Sequence, residues 1–195
     1  MEKGFGADQL IHCYRQGIFP MSDDRQDETL FLVDPKLRGI LPLDKLHISK
    51  SMDKFKRKTD FRVSYNQAFA LVIKACAEVR DNTWISYGIE GLYGTLHERG
   101  EAHSVEIWDE GTLVGGLYGV TQGSAFFGES MFSLRTNASK LALIYLVERL
   151  KERGFTLLDT QFLTPHLESL GAIEIPKEDY LARLGAALEL NAQFD

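Results

Sequence analysis

The apolar positions of the chain change period near its middle, and that change outlines the fold. In the stretch ADQLIHCYRQG, residues 7–17, Leu10, Ile11 and Tyr14 recur at helical spacing and Gly17 supplies a stop, which predicts a short helix. Ile18 to Met21 reads as an apolar turn, Ser22 to Thr29 as an acidic polar loop, and Leu30 to Val33 as a short apolar run ended by Asp34-Pro35. A boundary near Pro35 then divides a small N-terminal domain, residues 1–35, from a main domain, residues 36–195. Met52 and Phe55, three apart, predict a short helix with a cationic outer face, and Phe61 to Tyr65 alternates like a strand. Asn66 is placed to cap a helix from Gln67 to Glu78, with Phe69, Val72, Ile73 and Cys76 as its stripe, and a further helix covers Ile89 to Glu98.

From His103 onward the period is two. Val105 and Ile107 alternate with polar neighbours, Asp109-Glu110-Gly111 turns, Leu113 to Val120 returns, Gln122-Gly123 turns again, and Ala125 to Phe132 makes a third strand. Asn137 then stands as the cap of a helix that is apolar nearly all round and closes at Lys151, Arg153 and Gly154, the pattern of a helix buried on a sheet. Thr156 to Phe162 reads as a strand, followed by helices at Pro165 to Leu170 and Lys177 to Leu190. Meander, buried helix, strand, helix predicts an α+β fold, a mixed sheet flanked by helices of the N-acetyltransferase type, the acyl-CoA N-acyltransferase architecture.

Composition is that of a folded globular chain, with 44% hydrophobic and 26% charged residues. Cys13 and Cys76 lie far apart in apolar helical segments and read as reduced core thiols. No signal-peptide pattern opens the chain and no stretch reaches membrane-spanning length, so the expected location is the cytoplasm, with no membrane partner. The net charge of −6 argues against a polyanionic partner. The distribution argues for one: Lys45, Lys50, Lys54, Lys56, Arg57, Lys58 and Arg62 face only Asp53 and Asp60. A solvated basic face with no partner accounts for that excess equally well.

Several chemistries lack their residues. His12, His47, His97, His103 and His166 have no metal-ligand spacing, so no metal is expected. Ser130, in Gly128-Glu129-Ser130-Met131-Phe132, lacks the second glycine of a nucleophile elbow. The glycines of Val114-Gly115-Gly116-Leu117-Tyr118-Gly119 lie within a strand and mark a bulge or a close backbone approach, not a phosphate loop. Ser133 to Arg153 contains no glycine, which puts coenzyme A as a donor in doubt. What remains is Asp159 and Gln161, two apart on a strand and facing one way, a polar pair that is costly to bury without a task. Asp159 capping the next loop with Gln161 in solvent fits the same spacing.

The runs YRQGIFPM (14–21), DPKLRGILPLDKLHISKSM (34–52), AHSVEIWDEGTLVGGLYGVTQGSAFFGESMFS (102–133), NASKLAL from Asn137, LLDTQF from Leu157 and HLESLGA from His166 resemble the leucyl/phenylalanyl-tRNA–protein transferase family, in the family's order and over nearly the whole chain. The resemblance implies an aminoacyl transfer without metal or coenzyme, from Leu-tRNA or Phe-tRNA to the N-terminal α-amine of a protein beginning with Arg or Lys, as a degradation signal. It implies that Asp159 orients Gln161, which holds the attacking amine. It assigns Leu117, Phe126, Met131 and Leu143 to an apolar pocket for a side chain unbranched at Cβ. All four are equally at home in an ordinary core, and Phe126 and Met131 share a face only if the strand bulges at Gly128. Glu129 is the candidate to pair with the acceptor's cationic first residue, an exposed strand-end carboxylate being the alternative. Tyr14, Phe19, Met21, Trp84 and Tyr93 are implied to surround the aminoacyl-adenosine and the peptide end, with core packing the alternative for the aromatics and Met21 standing where many relatives carry tryptophan. Lys50, Lys54, Lys56, Arg57, Lys58 and Arg62 would hold tRNA phosphates. The rival activities are leucyl transfer to Asp or Glu N-termini, coenzyme-A-dependent N-acetylation, and plain RNA binding on the basic face.

Overall fold

The computed structural model describes residues 5–79 and 82–195. Helix α1 (Ala7–Arg15) leads through Gly17, at φ +76°, into β1 (Phe19–Met21), which pairs antiparallel with β2 (Phe31–Val33). The segment expected to be an apolar turn is therefore a strand, because a partner ten residues on satisfies its backbone. After β3 (Leu37–Ile40) come α2 (Lys50–Lys58), β4 (Arg62–Tyr65), α3 (Phe69–Glu78) and α4 (Tyr87–Glu98). The meander follows as β5 (Ala102–Asp109), β6 (Thr112–Gln122) and β7 (Ala125–Ser133), and the chain ends with α5 (Ala138–Glu152), β8 (Leu157–Gln161), α6 (Pro165–Ser169), β9 (Ile173–Pro176) and α7 (Lys177–Leu188).

Seven strands form one sheet in the order β4-β5-β6-β7-β8-β3-β9, antiparallel throughout except where β7 lies parallel to β8. This mixed sheet, with helices on both faces and α5 as the crossover, is the N-acetyltransferase-like architecture expected from the element order. Neither β3 nor β9 is expected from the sequence: Arg38 and Gly39 interrupt the apolar run of β3, and β9 is a brief alternation set between two helical segments.

Alternation divides the apolar side chains between two layers. Tyr118, Val120 and Phe127 pack with α1, α3, α4 and α7, whereas Leu117, Phe126 and Leu158 pack with α5, α2 and α6. Helix α5 buries eight residues, from Ala138 to Leu150, as its all-round apolar sequence requires. No described helix is long and apolar enough to cross a membrane. Cys13 and Cys76 are reduced thiols and both are buried.

Asn66 does not cap α3, whereas Asn137 occupies the N-cap position of α5 without a side-chain capping bond. Asn66, at φ +58°, accepts the Ser104 N–H at 3.0 Å and donates to Asp195 at 2.6 Å, fastening the end of β4 to β5 and the C-terminal segment. Asn137 adopts φ +70° with no side-chain cap, and Ser133 Oγ accepts the Ser139 N–H instead. The C-terminal segment closes the α5 layer: Phe194, 2% exposed, stacks on His103 at 4.5 Å and meets Tyr65, Phe126 and Phe155. Phe194→Ala is expected to cost about 3–5 kcal/mol, read as a lower urea-unfolding free energy, with the sheet's circular dichroism retained in the folded state.

Candidate active site

The sheet opens at one place. Strands β7 and β8 pair only from Ala125↔Leu157 to Phe127↔Asp159, and beyond that β8 turns to β3 while β7 continues beside β6. Two backbone irregularities produce the fork. On β7, Ser130 pairs with Tyr118 and Gly128 with Gly119, so Glu129 bulges out of the ladder. Gly119 is required there, because a β-carbon would lie 2.3 Å from the Phe127 carbonyl oxygen. On β8, Gln161 adopts φ +62°, which ends the strand.

What holds Gln161 in that conformation is a buried ion pair. Asp159, fully buried, accepts three hydrogen bonds from Arg38 at 2.9, 3.1 and 2.6 Å, one from Tyr180 Oη at 2.7 Å and one from the Gln161 backbone N–H at 2.7 Å. Arg38, 1% exposed, donates further to the Gly17 carbonyl at 2.8 Å and lies over the rings of Phe19 at 4.6 Å and Tyr180 at 4.7 Å. Burial alone would lower the Arg38 pKa, but the Asp159 charge overcomes it and raises it. Burial first, then the Asp159 charge, pushes the Tyr180 phenol up. Arg38 and Tyr180 are absent from the sequence reading; the only signal for Arg38 is a cation within the apolar run Leu37-Arg38-Gly39-Ile40. Asp159 thus acts on Gln161 through its backbone and has no oxygen turned to an open site.

Gln161 Nε2 spans the fork and donates to Glu129 Oε1 at 2.9 Å. Tyr14 Oη donates to the same oxygen at 2.6 Å and Tyr93 Oη to Oε2 at 2.8 Å, and the two phenols also contact each other. Burial raises the Glu129 carboxyl to about 7, the hydrogen bonds from Tyr14, Tyr93 and Gln161 pulling against it and the Asp159 charge adding to it. Tyr14 and Tyr93 are both raised well above the ordinary phenol range, by burial and then by the Glu129 charge.

Glu129 forms part of the wall of a cavity of about 70 Å³ in the fork. Leu117, Met131 and Leu143 line it together with Leu146, Leu158 and Leu167. The bulge brings Phe126 to the same layer as Met131, but Phe126 is fully buried against Phe194 and is not on the cavity wall. Phe19 is buried beneath Arg38, edge-on to Phe162 at 5.5 Å. Met21 and Trp84 are half-buried beside the α1 layer, their segments joined by the Ser22 N–H to Trp84 carbonyl bond at 3.2 Å; neither lines the cavity.

Helix α2, capped by Ser49, packs Met52 and Phe55 into the α5 layer. Lys56 is spent on Glu148 and the Tyr145 ring, and Arg57 on Asp53 at 2.7 Å. Lys50, Lys54 and Lys58 are exposed at fourfold spacing, one cationic stripe, and Arg62 is exposed on the edge strand β4. Among the described residues no three His, Cys, Asp or Glu side chains converge as a metal site.

Two measurements follow. Arg38→Met strands the Asp159 carboxylate without its cation and is expected to cost about 3–5 kcal/mol in urea unfolding. For Glu129, raised from 4.5 to about 7, the fold holds an extra proton between those values. The associated stability is therefore full below pH 4.5 and is lost as pH rises through about 7. Relative to Glu129→Gln, the native chain is expected to lose unfolding free energy between urea melts at about pH 5 and about pH 8.

Comparison with known proteins accounts for the whole chain. The family model described as leucyl/phenylalanyl-tRNA protein transferase matches residues 40–185, and that of its N-terminal domain residues 5–36. The leucyl/phenylalanyl-tRNA–protein transferase of Hyphomonas neptunium is 54% identical over 197 residues, covering 100% of this chain and 76% of that one. The Maricaulis maris protein of the same name is 52% identical over 195 residues, covering 98% and 90%. The solved structure of FemX superimposes with a TM-score of 0.58 at 11% identity, covering 87% of this chain and 66% of its own, a likeness of fold alone. With both family models matched and relatives more than half identical along its length, the chain belongs to the leucyl/phenylalanyl-tRNA–protein transferase family.

Proposed function

We propose that the fork is where leucine or phenylalanine, esterified to the 3′ end of its tRNA, meets the α-amine of a protein beginning with Arg or Lys. The observation that carries the reading is the pairing of an apolar cavity with a hydrogen-bonded carboxylate and carboxamide on one opening of the sheet. Leu117, Met131 and Leu143 would receive the aminoacyl side chain, and the unbranched thioether of Met131 suits both leucine and phenylalanine. An ester is already activated, so alignment and the removal of one proton are the main tasks. Gln161 Nε2 is engaged by Glu129, which leaves the amide oxygen to accept an N–H of the attacking amine. Asp159 is a positioning residue in this scheme.

Glu129 accepts two hydrogen bonds on Oε1 and one on Oε2, so Oε2 retains a lone pair for a cationic acceptor side chain. An arriving Arg or Lys also favours the ionised carboxylate, whereas Asp or Glu would meet a like charge. Residues 1–35 serve as a small domain that brings Tyr14, Phe19 and Met21 to residues 36–195, and Met21 and Trp84 would face the terminal adenosine. The Lys50, Lys54 and Lys58 stripe with Arg62 would hold acceptor-stem phosphates. The reaction belongs in the cytoplasm, where charged tRNA is found. Incubating the chain with radiolabelled Leu-tRNA and peptides that differ only in their first residue tests the reading. Label is expected on Arg- and Lys-peptides alone; label on Asp- or Glu-peptides, or on none, overturns it.

A further inference from the structure

Among the described residues, the buried side-chain polar atoms without a hydrogen-bond partner are Arg25 Nε, Glu101 Oε2, Tyr118 Oη and Thr160 Oγ1. Three have ordinary surroundings. The Arg25 guanidinium bonds the Ile85 carbonyl through Nη1, Glu101 Oε2 lies 2.7 Å from Arg99, and Thr160, although it too lines the cavity, has its Oγ1 against β3, 2.8 Å from where a Gly39 β-carbon would sit. Tyr118 is different. It is fully buried, its ring is held edge-on by Tyr93 at 5.3 Å and Phe69 at 5.8 Å, and it shares the cavity wall with Leu117, Glu129 and Met131. A phenol that has given up water and gained no partner is rare in a native core, and one beside a cavity is placed for a ligand atom.

We propose that the Tyr118 hydroxyl donates a hydrogen bond to the aminoacyl ester's carbonyl oxygen as that oxygen becomes negative. The proposal rests on the reading that the cavity takes the aminoacyl group. The lone pair of the acceptor amine forms the C–N bond, and the carbonyl π pair moves onto oxygen. Tyr118 steadies this oxyanion without surrendering its proton. The pair then returns, the bond from carbon to the ribose oxygen breaks, and the ribose oxygen leaves as a hydroxyl with the proton lost by the attacking nitrogen. No further reactant is needed. Burial, then the charges of Tyr93 and Glu129, keep the Tyr118 phenol protonated far above neutral pH, so it remains a donor throughout. It is preorganised as well, because both ring neighbours fix it before substrate arrives.

Tyr118→Phe removes only the oxygen. With Leu-tRNA and an Arg-starting peptide, kcat is expected to fall by about 10²-fold, with KM for Leu-tRNA unchanged. The thermal midpoint should be equal or higher, since an unpartnered polar atom has been removed. In binding, an adenosine leucyl phosphonate that mimics the oxyanion should lose affinity in the variant, while 3′-leucylamido-adenosine binds as before. Unchanged kcat, a lowered thermal midpoint with kcat falling in step, or equal weakening of both analogues overturns the proposal. Native protein that transfers no leucine to the peptide fails the underlying reading and this one together; native transfer with an unaffected variant fails this one alone.

Discussion

The structure of the fork depends on one interaction, the ion pair of Arg38 with Asp159. Both groups are out of water, and a lone buried carboxylate at this place would be untenable. The pair is tolerable because every oxygen and most guanidinium protons have partners: Tyr180, the Gly17 carbonyl and the Gln161 backbone complete it. It also ties together β3, β8, α7 and the turn after α1. Replacement by apolar residues could pack as well, but it would release the backbone of Gln161, whose φ of +62° is held by the same carboxylate. Fold stability and site geometry are therefore one constraint here.

From that anchor the opening in the sheet follows. Two strands that begin as a parallel pair are separated by a bulge on one and a left-handed residue on the other, and a single side-chain bond, Gln161 to Glu129, replaces the missing ladder. Backbone ladders pair regardless of side chain; a side-chain bridge leaves a gap that selected residues can line. The wall draws on both layers of the core, taking Leu117 and Met131 from the α5 layer and Tyr118 from the other, which is how one small cavity joins apolar surface to ionisable groups.

Charge is distributed with similar economy. An acidic chain carries Lys50, Lys54 and Lys58 on one stripe of α2, and Ser49 caps that helix while Met52 seats it on the α5 layer, the layer that supplies most of the cavity wall. Two of the cations counted in the sequence, Lys56 and Arg57, are already paired within the fold. The stripe is narrower than composition suggests, and a local count of charges overstates what a partner could reach.

The sequence by itself determined the elements whose signals are local. The helical stripe of α3 and the all-round apolar α5 are written in runs of ten or more residues, where period and burial coincide, and the turns of the meander in Asp109-Glu110-Gly111 and Gln122-Gly123. The bulge was half-legible, since alternation set Phe126 and Met131 on opposite faces unless one residue slipped, yet it could not show that Phe126 would be covered by Phe194. Strands β3 and β9, the partners of Asp159 and the true companions of Glu129 were decided by tertiary structure. Arg38 meets Asp159 across 121 positions of sequence, and Tyr14 meets Glu129 across 115. Periodicity records which side of an element is apolar; it carries no record of which distant group will satisfy a buried charge, because that depends on strand order and register, which exist only once the sheet has closed.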